Sequence, residues 1–253
     1  MSVMTGVCTF SRKIFKLVKA AEIQRIFYNI PRKTTVENWK RDAPDDFIFS
    51  IKVFQGLTHS KTSPTWRRFR GKISDDDMNK LGNLNVNELT EYFMDTMIEF
   101  AKILDARFLI VQTPASFDFS QNNVERAKKF FGVFEEKLLK SGLKTIIGWE
   151  PRGKWLDNVS VIKDILNETE RVVHVVDPFF FSPAIVREDV YFRLHGKPYL
   201  NYKYQYTPED FDFLVKKVRD MMKLGGERFY IMFNNVKMLD DARRFEDYIT
   251  SKI

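Results

Sequence analysis

Short apolar runs alternate with amphipathic stretches along this chain, and most of the runs close on a polar side chain. FLIVQTP carries Gln112, TIIGWEPR carries Glu150 and Arg152, and VVHVVDP carries Asp177. VYFRLHG carries Arg193 and His195, and RFYIMFNN ends at Asn234 and Asn235. Runs this short, bounded by turn residues, predict buried strands. Those expected cover residues 3–9, 20–27, 47–54, 108–113, 145–149, 171–176, 190–194 and 228–233. Between them, Leu89, Phe93, Met97, Phe100 and Leu104 recur at helical spacing and predict a helix over 87–104.

Further helices are expected near 11–18, up to 41, over 119–139, 158–166, 208–224 and 240–249. Thr34 or Thr35 is the expected cap of the second of these. Thr207 caps the helix that begins at Pro208, and Gly225 stops it. After the sixth strand, FFFSPA replaces a helix, and residues 56–86 form an irregular rim loop or insertion after the third strand. Strand, polar tip and helix repeated this way predict an α/β chain, a TIM-barrel-like (β/α)8 single domain over 1–253. The competing architecture is an open doubly wound sheet, but the Gly-rich turn after its first strand is absent.

Strand parity sorts the polar residues. Tyr191, Arg193 and His195 share one face, as do Phe108, Ile110 and Gln112, and Val173, Val175 and Asp177. His174 has the opposite parity and is expected in the helix layer.

Composition changes this picture little. A formal charge of +7 favours anionic partners without identifying one. The aromatic and basic stretches TWRRFRGK and KPYLNYKYQY have the residue types that contact nucleic acid. Cys8 is the lone cysteine, so no disulfide forms within the chain and a reducing, cytoplasmic setting is expected. No apolar run is long enough to span a membrane, so none is expected as a partner. There is no HExxH, CxxC, P-loop or G-x-S-x-G motif, and no metal or cofactor is expected.

RIFYNIPRKTTVENW, FIFSIKVFQGLTH, VQTPASF, GWEPRGKW, VYFRLHG and YIMFNN recur in an order and spacing that resemble the YecE-like family, a domain of unknown function (domain of unknown function 72). The resemblance runs nearly the full length and implies a TIM-barrel-like fold. It also implies that the matching polar positions are Glu22, Tyr28, Lys52, His59, Gln112, Glu150, Arg152, Asp177, Arg193, His195 and Asn235. It implies no established reaction. The opening GVCTFSRK lacks the GxSGWxY-like start of many relatives, and FFFSPA is atypical after Asp177.

Two functional readings follow. In the first, His195, Glu150, Asp177 and His59 are the candidate catalytic residues of a hydrolase-like or lyase-like enzyme working by acid–base chemistry. Its substrate would contain phosphate or sugar, bound by Glu22, Tyr28, Lys52, Gln112, Arg152, Arg193 and Asn235. Tyr28, Trp149, Trp155 and Tyr199 are candidate stacking surfaces. In the second, the same positive cleft binds nucleic acid or an anionic metabolite without turning it over.

Overall fold

Each of the eight expected strands forms. The structure, a computed structural model, describes residues 2–250 and 252. In chain order its elements are β1 (Ser2–Val7), β2 (Ala20–Ile23), α1 (Arg25–Tyr28), α2 (Lys33–Arg41), β3 (Ile48–Lys52), α3 (Gln55–Thr58), α4 (Asp75–Lys80), α5 (Glu88–Leu104), β4 (Phe108–Gln112), α6 (Gln121–Lys140), β5 (Ile146–Glu150), α7 (Val159–Asn167), β6 (Val172–His174), β7 (Asp189–Leu194), α8 (Pro208–Met222), β8 (Arg228–Phe233) and α9 (Met238–Thr250). The strands are ordered β6-β5-β4-β3-β2-β1-β8-β7, the sequential order of a (β/α)8 barrel opened between β6 and β7. The chain has that TIM-barrel-like fold. Among the described residues no helix is long and apolar enough to cross a membrane.

The chain divides into two compact units. The first is Met1–Glu22, Ala43–Ile48 and Val173–Ile253; the second is Ile23–Asp42 and Phe49–Val172. In the first, β1 pairs in parallel with β2 and β8, and β8 with β7. Gly6 faces Ala20 in this ladder, where a Cβ would lie 2.5 Å from the Ala20 carbonyl oxygen. In the second unit β3, β4 and β5 pair in parallel, with Lys52 opposite Ile110 and Gln112 opposite Glu150. Parallel pairing brings the polar carboxyl-terminal residues of neighbouring strands together, which is how each unit gathers functional groups from separate stretches of sequence.

Several local expectations need correction. The strand expected over 20–27 stops at Ile23, and α1 begins at Arg25, which places Tyr28 at the end of a short helix and not on the strand. Neither Thr34 nor Thr35 caps α2; Arg32 occupies the cap position without a side-chain hydrogen bond. Residues 56–86 are more ordered than expected: α3, a 3-10 turn at Pro64–Arg68 and α4 occupy much of the stretch. The 3-10 turn and α4 are capped by Ser63 and Ser74. Asp177 lies beyond β6, past a bridge between Val176 and Phe192.

Helix ends elsewhere follow the sequence. Thr207 and Asp210 form a capping box at α8, and Asn87 and Thr90 form one at α5. Thr207→Ala removes the acceptor for the Asp210 N–H and is expected to lower stability by about 1 kcal/mol. A denaturant titration measures it; an unchanged midpoint would show that the cap contributes nothing there.

Candidate functional site

The first unit builds a continuous polar chain at the end of β7. Glu22, at the end of β2, is fully buried, and Arg193 of β7 is 1% exposed. Arg193 donates from Nη2 to Glu22 Oε1 at 2.8 Å and from Nε to Oε2 at 3.0 Å, a two-pronged pair. The Tyr191 hydroxyl donates to Glu22 Oε2 at 3.2 Å, and the Cys8 thiol lies 3.6 Å from the same oxygen. Tyr191, Arg193 and His195 face the same way, as the strand parity predicts.

Arg193 also reaches His195, with Nη1 3.2 Å from Nε2. A guanidinium only donates, so Nε2 accepts and the imidazole proton is assigned to Nδ1. Nδ1 lies 3.5 Å from Asp177 Oδ2, which also accepts the His195 backbone N–H at 2.8 Å. The other Asp177 oxygen accepts from the Phe179 N–H at 3.2 Å. Glu22, Arg193, His195 and Asp177 therefore form one linked group.

Gly196 follows at φ +85°, where a Cβ would sit 2.1 Å from the Asn201 carbonyl oxygen. Only glycine lets the chain turn so sharply behind His195. The Gly196 N–H donates to the buried Tyr206 hydroxyl at 2.8 Å. Burial raises the pKa of that phenol, so it stays protonated. Tyr199 and Tyr202 hold their rings 6.3 and 6.0 Å from the His195 ring, both edge-on.

The second unit gathers a different set. Lys52 Nζ donates to Gln112 Oε1 at 2.9 Å and sits 3.9 Å over the Phe27 ring. Arg152 Nη2 donates to Glu150 Oε1 at 3.0 Å. His59 is buried, with Nδ1 2.7 Å from the Thr58 hydroxyl and its ring against Phe27. Burial first, then the charges of Lys52 and Arg152, push the His59 pKa down to about 3. The imidazole is neutral at physiological pH, which suits it to hydrogen bonding and not to donating a proton as an acid.

Other predicted residues have different surroundings. Asn235 donates its amide to the Tyr204 carbonyl at 2.7 Å and to Asp241 at 2.6 Å, so it ties loop to helix. Trp149 and Trp155 leave the stacking set: both are fully buried, with indole N–H groups on Thr113 and the Phe117 carbonyl. Trp149 packs on Phe131 of α6, the helix side of its strand. His174 is buried and accepts the Ala184 N–H at 3.0 Å, an anchor for the loop that replaces a helix. Cys8 and Phe27 are not polar strand tips, so sequence reasoning misses their place at the site, whereas Tyr191 is signalled by its parity with Arg193. Among the described residues no group of three or more His, Cys, Asp or Glu side chains is placed to hold a metal ion.

Comparison with known proteins bears on the family. The model for "Protein of unknown function DUF72" matches residues 12–252. A DUF72 family protein of Enterococcus faecalis V583 superposes with a TM-score of 0.71 at 19% identity, covering 98% of this chain and 97% of that one. One from Thermotoga maritima MSB8 gives 0.63 at 19% identity, covering 99% and 100%. A sugar phosphate isomerase/epimerase of Parabacteroides distasonis ATCC 8503 gives 0.52 at 12% identity, covering 94% and 89%. No curated protein matches.

The buried charges carry two consequences for stability. Glu22→Ala strands a buried guanidinium and is expected to cost about 3–5 kcal/mol; a loss below about 1 kcal/mol, the range of an exposed pair, would show that Arg193 does not depend on it. His59 has a depressed folded pKa, so its contribution to stability is complete above about pH 6.5 and is lost as pH falls toward 3. The stability difference between wild type and His59→Asn is therefore expected to shrink with acidification by up to about 1.4 kcal/mol per pH unit. Denaturant melts across that window test it, and a pH-independent difference contradicts it.

Proposed function

Because the chain belongs to the DUF72 family of proteins of unknown function, its chemistry has to be read from its own residues, and we propose that it is an enzyme acting by histidine–carboxylate acid–base chemistry on a phosphate- or sugar-containing substrate. The carrying observation is the linked group Asp177–His195–Arg193–Glu22. Asp177 holds the His195 backbone N–H and lies 3.5 Å from the ring Nδ1, and Arg193, occupied by Glu22, is a positioning residue rather than the anion holder expected from sequence. The reaction class is hydrolase-like or lyase-like, with His195 as the proton carrier and Asp177 as its partner.

Tyr199 and Tyr202 beside His195 supply ring faces suited to a sugar. Likeness to a sugar phosphate isomerase/epimerase agrees with that class but extends only to the fold.

A second reading has its own observation. In the second unit Lys52 and Arg152 flank a neutral His59, with Glu150 as the carboxylate neighbour of Arg152. Such a group can hold an anionic metabolite without any proton transfer. Glu150 and His59 would then serve binding and not catalysis.

The test is turnover of a panel of pentose and hexose phosphates, aryl phosphates and aryl glycosides, followed by NMR. His195→Gln and Asp177→Asn are expected to lower kcat by roughly 10²–10⁴-fold while the melting temperature stays near wild type. Asp177→Asn keeps an oxygen for the His195 N–H, so its loss reports on charge. Full turnover in both variants would overturn the catalytic reading. Binding of a sugar phosphate without turnover, abolished by Lys52→Met, would favour the second.

A further inference from the structure

The second unit contains a cavity of about 870 Å³ whose lining includes Arg25, Arg67, Arg68 and Arg70 and no acidic side chain. All four arginines are exposed, and among the described residues none of them is ion-paired. Four guanidiniums around one space repel one another, and an anion bound among them removes that cost.

The arrangement is held in place from both sides. Asn29 donates its amide to the Arg68 carbonyl at 3.0 Å and accepts the Arg70 N–H at 2.7 Å, which pins the arginine segment to the turn after α1. Trp66 anchors the other flank by donating to the Ser60 carbonyl at 2.9 Å and packing edge-on against Phe54 and Phe69. Aromatic faces are part of the same wall. The Arg68 guanidinium lies 3.8 Å over the Tyr28 ring, and that of Arg25 lies 5.9 Å from the Trp39 centroid. Gly71 opens the rim, since a Cβ there would meet the Phe69 ring at 2.4 Å.

We infer that this cavity is a nucleotide-phosphate site, separate from the residues assigned to proton transfer. Arginine forks pair bidentately with phosphate oxygens, and several forks spread around one space suit successive phosphates better than a single carboxylate. The flat guanidiniums, that of Arg68 backed by the Tyr28 ring, offer surfaces on which a base stacks without sequence preference. The same chemistry is presented by a nucleoside triphosphate and by single-stranded nucleic acid.

Fluorescence anisotropy separates the sources. The probes are a labelled oligothymidylate of about ten nucleotides, matched to the footprint of one small domain, and unlabelled ATP and inorganic phosphate as competitors. Oligonucleotide binding that weakens with salt is expected. Arg67→Ala/Arg70→Ala is expected to weaken it about tenfold or more and to flatten the salt dependence by about 0.7 for each phosphate that is no longer neutralised. The control, Lys216→Ala/Arg243→Ala, removes the same charge from other exposed positions and is expected to leave binding unchanged. Competition by ATP at concentrations where phosphate fails identifies a free nucleotide as ligand. Tight oligonucleotide binding that ATP does not displace identifies a single strand. No binding of any probe at low salt, equal competition by phosphate and ATP, or an equal loss in the control variant would overturn the inference. Both variants alter exposed side chains, and matching melting temperatures confirm that folding is not the variable.

Discussion

The buried pair of Glu22 and Arg193 is the constraint on which the first unit's polar interior depends. Neither charge is in contact with water, and a buried charge is tolerated only where its partners replace hydration. Glu22 meets that requirement with two guanidinium N–H groups, a phenol and a thiol. Such a pair contributes little net stability compared with a hydrophobic filling, but it fixes geometry. With Arg193 held at both prongs, its remaining nitrogen can point only where the strand aims it, which is at His195. The imidazole tautomer is a consequence of that one fixed guanidinium.

The second unit solves the opposite electrostatic problem. Its strand ends bring together two cations, Lys52 and Arg152, with a buried imidazole. Adding a proton to His59 would place a third positive charge in the same dry space, so the ring stays neutral. Lys52 offsets its own burial with the Gln112 carbonyl oxygen and the Phe27 ring face. The two histidines of the candidate set thus have different neighbours: His195 lies between Arg193 and Asp177, and His59 beside Lys52 and Arg152.

Much of this is legible in the sequence because strand parity and polar tips depend only on local spacing. Tyr191, Arg193 and His195 share a face by the two-residue period, and His174 is excluded by the same rule. The strand order follows from eight alternating units. What is illegible depends on partners distant in sequence. No local signal shows that Arg193 is saturated by Glu22, 171 positions away. Nor does one show that Asn29 grips a segment 39 to 41 residues later. The early end of β2 escapes a sequence reading because Ile23, Ile26 and Phe27 fit either a strand or a helical turn, a known ambiguity of short apolar runs.

The FFFSPA segment has a physical reason to lack a helix. Asp177 uses one oxygen on the Phe179 N–H and its carbonyl on the N–H groups of Phe180 and Phe181, so the chain closes a tight turn at once. Phe179 then stacks on Phe213 of α8, while Phe180 and Phe181 both turn their rings against Tyr199. His174 holds the far side of the loop through Ala184. A regular helix here would spend these backbone groups on itself, and Asp177 would lose the hydrogen bonds that orient it toward His195. The same carboxylate therefore serves as turn former and as partner of the imidazole. In this chain the missing helix and the geometry of the candidate site have one common cause.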